Sequence, residues 1–235
     1  MTRRRWIADE VSDNHAALTG DHARHLAQVL RAQVGQEFDI STGTEVRRGR
    51  VSGIHPGRVE FELGEPVAQA AGAAITVAIS IFKFDRMEWA IEKCTELGVA
   101  RIAPVIAART ESHLAVAADK RVERWRRIAR QAAEQSRRLS PPEILEPMRF
   151  DRLAEMTADA RIVLAESEEE LFLRNAVREA AGTVLLAVGP EGGWKPQELA
   201  AFKDAGWTAA SLGSTILRAE TAAIAAVAIV ASVLQ

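Results

Sequence analysis

The sequence predicts an α/β protein built from a small β-rich unit over residues 1–70 and a larger domain of alternating strands and helices over 74–235. Three observations predict it. Ile75 to Phe82 is a near-continuous apolar run, the pattern of a strand buried on both faces of a parallel sheet. Further short apolar runs then alternate with helical patterns to the C-terminus. Two of those runs, Leu185–Val188 and the stretch ending at Leu212, break into glycine-bearing turns that lead into helices. Paired turns of that kind at the ends of buried strands make a pocket for a small molecule.

In the first unit a helix is expected over Asp21 to Arg31, with Asp21 as N-cap and an apolar stripe of Leu26, Val29 and Leu30. Phe38–Ser41, Val46–Ile54 and Arg58–Leu63 read as strands, separated by turns at Gly43-Thr44 and His55-Pro56-Gly57. Residues 67–73 have linker composition. After the strand at 75–82, a helix is expected with Asp85 as N-cap and Glu88 three residues on, a capping-box spacing. Its buried face would carry Met87, Ala90, Ile91, Cys94 and Leu97, and Gly98 would end it. Next come a strand at 102–107 and a long helix over 119–137 facing Val122, Trp125, Ala129, Ala132 and Ser136 inward. Strands at 161–165, 183–188 and 208–212 and helices at 167–180, 196–205 and 219–234 complete the pattern. The last helix has almost no polar face beyond Glu220, Thr221 and Ser232, so it must be covered all round, by the fold and by a partner subunit.

At 48% hydrophobic and 26% charged residues, the composition is that of a soluble globular protein. The single cysteine, Cys94, excludes an intrachain disulfide and points to a reducing, cytoplasmic setting. No signal-peptide core opens the chain, and the alanine-rich run from Ala222 to Leu234 is too short for a membrane span, which needs about 20 residues. Net charge is −2, but residues 101–138 hold 10 basic and 4 acidic groups while 139–235 hold 8 basic and 14 acidic. Arg121, Arg124, Arg127, Arg130, Arg137 and Arg138 repeat at helical spacing, and Arg3, Arg4 and Arg5 cluster beside Trp6. Such blocks suit an anionic partner or, equally, a solvated surface.

Gly189, Gly192 and Gly193 allow close backbone approach, and Pro190 stiffens the turn. Pro196 and Glu198 mark the start of the next helix. Glu191 lies in this loop and no P-loop lysine follows, so an uncharged or cationic ligand suits it at least as well as a phosphate. Arg218 opens the last helix, against the macrodipole, with Glu220 placed to offset and orient it. An arginine there can face an anion or a developing oxyanion. The five histidines show no zinc-ligand spacing, and neither a Gly-x-Ser-x-Gly elbow nor a Gly-x-Gly-x-x-Gly fingerprint occurs. No metal site is expected.

The residues resemble a known family over nearly the whole length. The landmarks are His25–Arg31, Gly35–Phe38, Lys83–Trp89, Lys93–Val99, Arg109-Thr110 and Arg124-Trp125 through Glu134–Ser136 and Arg138. Gly189–Gly193 and Leu217–Ala222 are the most specific. On these the chain resembles the RsmE family of 16S ribosomal RNA (uracil-N3)-methyltransferases, in the SPOUT superfamily. It departs from the usual pattern at Thr215, where the family often has arginine, and at Ala219, where it often has threonine.

The resemblance implies a PUA-like, small β-barrel RNA-binding domain over 1–70 and a SPOUT methyltransferase domain with a deep trefoil knot over 74–235. Knots are rare exceptions to ordinary chain connectivity. It implies S-adenosyl-L-methionine as cofactor, held by Leu186, Gly189, Pro190, Glu191, Gly192, Gly193, Leu212, Gly213, Ile216, Leu217, Thr221 and Ala222. The implied substrate is one uridine of 16S ribosomal RNA in the small ribosomal subunit, methylated at N3 (uridine 1498 in the family's reference numbering). Arg218 and Glu220 are the catalytic candidates. Arg3, Arg4, Arg5, His25, Arg31, Lys83, Arg86, Arg109 and Arg138 are the RNA-binding candidates. A cytoplasmic homodimer joined through the SPOUT domain is expected. A different RNA target, or a non-catalytic RNA-binding role, is the alternative reading.

Overall fold

A computed structural model describes residues 5–67, 74–178 and 182–234. The chain divides into two compact units, Met1–Ala71 with Ala133–Pro141, and Gly72–Ala132 with Pro142–Gln235. The sequence places no return to the first unit at 133–141. The expected linker falls almost entirely on 68–73, outside the described residues, as do Arg3 and Arg4.

The first unit begins with β1 (Arg5–Ile7), β2 (Glu10–Ser12) and β3 (His15–Thr19). A short helix α1 (Gly20–Arg24) runs on into a π-helical turn, His25–Val29, and then come β4 (Glu37–Ser41), β5 (Val46–His55) and β6 (Arg58–Val67). The strands lie in the order β1-β4-β5-β6-β3-β2. Its two edges belong to one continuous segment. β1 pairs with β4, Ala8 N still donates to Ser41 O, and at the next residue Asp9 N turns to Ala17 O of β3. The bent segment 5–12 thus supplies both end strands and curls the sheet into a small barrel. Trp6, Leu18, Leu26, Phe38, Ile40, Val51, Val59 and Phe61 fill it. Gly49 is required at the β4–β5 pairing, because a Cβ there would meet Ile40 Cγ1 at 2.2 Å.

Two local expectations change here. The helix starts at Gly20, with Thr19 at the N-cap position making no side-chain cap bond, and Asp21 pairs with Arg24 instead of capping. It then widens, with Leu30 N donating to His25 O, and stops at Arg31, whose φ is +51°. A barrel closed by three very short strands has too little periodicity to be read from sequence.

The second unit contains β7 (Ile75–Ser80), α2 (Phe84–Glu96), β8 (Arg101–Ile106), α3 (Ser112–Ala117), α4 (Val122–Gln135), β9 (Glu143–Ile144), β10 (Met148–Arg149) and α5 (Phe150–Glu155). It continues with β11 (Ala160–Leu164), α6 (Leu173–Ala176), β12 (Val184–Val188), α7 (Pro196–Asp204), β13 (Thr208–Ala210) and α8 (Ala219–Leu234). All the strand pairings are parallel, in the order β10-β8-β7-β12-β11-β13, with β9 also on β8. Odd and even positions of β7 face different layers. Ile75, Val77 and Ile79 pack with α2, α4 and α8, while Ala78 joins Leu153, Trp194, Phe202 and Trp207 on the other face.

The expected inward face of α2 is buried at Met87, Ala90, Ile91 and Cys94, and Gly98 ends the helix at φ +96°. The capping box does not form. Lys83 is the N-cap, and Glu88 instead accepts two hydrogen bonds from Arg124, at 2.5 and 2.8 Å. The helix expected at 167–180 is reduced to α6, because the Glu168 carboxylate takes the amides of Glu170 and Leu171. These bonds hold that carboxyl below its ordinary pKa. α8 buries Ala219, Ala223, Ala226, Val227, Val230 and Ala231, while Ile224, Ala225, Ala228, Ile229 and Val233 are only partly covered. No described helix is long and apolar enough to cross a membrane.

Candidate active site

Three neighbouring strands, β12, β11 and β13, send their C-terminal ends into loops on one edge of the parallel sheet, where open α/β sheets bind ligands. The loop after β12 is fixed from several sides. Gly193, at φ +68°, closes a turn by donating from its amide to Pro190 O at 2.8 Å. Trp194 turns inward, donates from Nε1 to Leu164 O at the end of β11, and packs edge-on against Phe202 with ring centroids 5.0 Å apart. Gly189 lies against the Trp194 ring, where a Cβ would sit 3.2 Å from Nε1. Glu198, 5% exposed, accepts from Lys195 N and from Ala108 N, both at 2.8 Å, and so ties the loop after β8 to the start of α7. Arg109, on that same loop, donates to the carbonyl of Gly192.

The loop after β13 is different. Ser211 is gripped on both sides: its amide donates to Leu171 O and its carbonyl accepts from Leu173 N. Its hydroxyl bridges to Gly213, which has φ +129°. Beyond it the chain is open. Ile216 is 83% exposed. Among the described hydrogen bonds, none within the chain uses the backbone of Leu212, Ile216 or Leu217. Free amides and carbonyls beside the apolar side chains of Leu212 and Leu217 suit a neutral heterocycle, which backbone groups can orient without a charged partner. Leu186 lies fully buried within β12, with Thr221 exposed and Ala222 part-buried in the first turn of α8.

Arg218 is exposed at the head of α8, its carbonyl accepting from Ala222 N at 2.8 Å, and no ion-pair partner for it occurs among the described residues. Glu220 does not orient it. The Glu220 side chain is 7% exposed and faces α2, where Oε1 lies 3.8 Å from Arg86 Nε. Its Oε2 is buried with no hydrogen-bond partner. The pairing joins residues 134 positions apart in sequence, which local spacing cannot reveal.

The other RNA-binding candidates separate by environment. Arg5 is 6% exposed and donates to the carbonyl of Arg137, within the barrel unit. Burial lowers its pKa, partly offset by Asp39. Next to the inward Trp6 on β1 it points to the other face, where it is buried against the 133–141 segment of the same unit and not turned outward to a phosphate. Burial likewise lowers the pKa of Arg138, which is half-buried. His25 packs against Trp6 with ring centroids 5.8 Å apart. Arg31 and Lys83 are exposed. On α4, Arg124 of the basic stripe and its neighbour Arg126 are taken by carboxylates, and just before the helix Arg121 lies over the Phe84 ring at 4.6 Å, so part of the basic surface is engaged locally. Among the described residues no group of three His, Cys, Asp or Glu is placed to hold a metal. Trp194 and Glu198 shape the loop, a role the sequence alone does not assign them. The Lys195-Pro196-x-Glu198 helix start was the available signal for Glu198.

An RNA methyltransferase domain profile matches residues 70–231, and an RNA methyltransferase PUA domain profile matches 18–64. The two domains are those of an RNA methyltransferase. The ribosomal RNA small subunit methyltransferase E of Mycobacterium bovis is 34% identical over 223 residues, covering 90% of this chain and 84% of that protein. That of Rickettsia conorii is 30% identical, covering 95% and 92%. The crystal structure of the Neisseria gonorrhoeae enzyme bound to S-adenosyl methionine superposes with a TM-score of 0.86 at 30% identity, over 97% of this chain and 96% of that one. A methyltransferase from Legionella pneumophila in complex with the same cofactor gives 0.88 at 25% identity, over 99% and 98%. The chain belongs to the RsmE family.

Proposed function

We propose that the protein methylates N3 of a single uridine in 16S ribosomal RNA, uridine 1498 in the family's reference numbering, using S-adenosyl-L-methionine. The observation that carries the reading is the loop after β13, with its unpaired backbone beside the pinned 189–195 loop. Leu212, Gly213, Ile216 and Leu217 would hold the adenosine part, with Gly189–Gly193 and the first turn of α8 around the rest. That cofactor supplies an electrophilic methyl carbon when bound.

The protein must then present an unpaired base and manage one proton. Uridine N3 lies on the Watson–Crick edge, so the base must be unpaired or flipped out. Loss of the N3 proton spreads negative charge over O2 and O4. Arg218, exposed and without an ion-pair partner among the described residues, is placed to offset that charge. Glu191, the exposed carboxylate of the 189–195 loop, is the proton acceptor this reading assigns. Glu220, buried and facing Arg86, is not.

Two further features fit the family's architecture. Residues 210–211 run between Ala165 on one side and Leu171–Leu173 on the other, both parts of one loop, as expected if the chain threads it to form a trefoil knot. The partly covered flank of α8 suits a homodimer face. The setting is cytoplasmic. The experiment is methyl transfer from labelled cofactor to small subunits lacking the modification. Label at N3 of that uridine supports the assignment, and label on another nucleotide replaces the target.

A further inference from the structure

The Arg86–Glu220 pair is unusual in its economy. A side chain that is 7% exposed at the head of α8 gives one oxygen to an arginine and leaves the other without a hydrogen bond. Buried carboxylates are costly unless well paired, so such an arrangement calls for a reason beyond stability. Of the other elements packed on α8, β7 and β12 carry no charged residue and α6 carries Arg174, which is exposed, so among the described residues Arg86 from α2 is the cation in ion-pair range of Glu220. Arg86 is 31% exposed; its Nε lies in ion-pair range of Glu220, and no hydrogen bond to its Nη groups occurs among the described residues. The planar fork of its two Nη groups is left for an outside acceptor. One turn further along α2, Trp89 is 47% exposed. Residues three apart share a helix face. A held guanidinium beside an open indole suits a phosphate and its unpaired base, because single-stranded RNA is gripped by charge along the backbone and stacking on aromatic rings.

We propose that Glu220 is a positioning residue acting through Arg86, and that Arg86 with Trp89 forms a contact surface on α2 for an unpaired stretch of the substrate RNA. The inference rests on the RNA-substrate reading above. It moves Glu220 from the chemistry to recognition, and it names Trp89 as a base platform.

The test is binding of the full-length protein to small ribosomal subunits across a salt series, with cofactor binding by calorimetry and thermal unfolding as folding controls. Arg86→Ala and Glu220→Ala should each weaken RNA binding about tenfold, as for a lost charge-assisted contact, and lower the salt slope by about one. The double variant should be no weaker than Arg86→Ala alone. Glu220→Gln, which still offers Arg86 an acceptor, should recover most of the loss. Trp89→Leu should weaken binding at least about fivefold with no change in salt slope, since stacking releases no counterions. Additive losses in the double variant, or an unchanged salt slope in the single ones, would overturn the proposal. So would a Trp89→Leu variant that loses self-association and keeps RNA affinity. If Glu220→Ala does not fold, comparing Glu220→Gln with and without Arg86→Ala decides the coupling. Wild-type protein that neither binds nor methylates subunits sinks the RNA reading itself. Wild-type activity with unaffected variants sinks only the Arg86–Glu220 assignment.

Discussion

The two glycine-bearing loops at the edge of the parallel sheet are built in opposite ways. The loop after β12 is held by Trp194 in an aromatic cluster, by Glu198 across to Ala108 and by Arg109 on Gly192. Among the described residues the hydrogen bonds holding the loop after β13 fall at Ser211–Gly213, and beyond them Ser214, Thr215, Ile216 and Arg218 are exposed. The difference teaches that one loop is a floor, shaped by the protein's own contacts, and the other, on the reading proposed above, is a wall left open for a ligand. Stability and activity should therefore separate along this line.

The largest effect expected is on the floor. Trp194→Ala removes a buried indole from contact with Phe150 and Phe202 and should cost about 3–5 kcal/mol, read by denaturant unfolding. Arg218→Ala lies on the wall. It should lower kcat about 10²–10³-fold, as for loss of an oxyanion donor, with the melting temperature and cofactor affinity nearly unchanged. Equal losses of cofactor binding and turnover would remove Arg218 from the chemistry. Glu198→Ala leaves the amides of Ala108 and Lys195 without their acceptor and should cost about 1–3 kcal/mol, again in unfolding rather than in kcat.

The smallest effect lies away from both loops. Burial pushes the Cys94 thiol from 9.0 up to about 12, so its contribution to stability is complete below pH 9 and fades as pH rises towards 12. The folded protein should resist thiol alkylation at pH 8, and labelling should appear only with unfolding. Rapid labelling of the native state would contradict the buried placement of α2.

Much of this was legible in the sequence. The buried runs of β7 and β12, the apolar face of α2, the helix starting at Pro196 and the apolar α8 follow from periodicity, and the two glycine turns mark the site. What could not be read locally is the long-range partner of each charge. Glu88 has capping-box spacing but is taken by Arg124, and Arg5 sits in a basic cluster but points to the Arg137 carbonyl. Glu220 stands two residues from Arg218 yet pairs with Arg86. Nor does a helical pattern at 167–180 anticipate that Glu168 and the strand-like pairing with Ser211 would claim the backbone first. In each case tertiary contact decided among locally equivalent options.

The most direct test of the floor-and-wall account is cofactor binding by calorimetry to wild-type protein and to a variant in which Ile216 and Leu217 are both replaced by proline. Proline removes two backbone N–H groups of the open loop without touching the anchored one. The account predicts that wild-type protein binds S-adenosyl-L-methionine and that the variant loses most of that affinity while its unfolding midpoint stays close to wild type. Undiminished binding in the variant, or loss of stability in step with affinity, would contradict it.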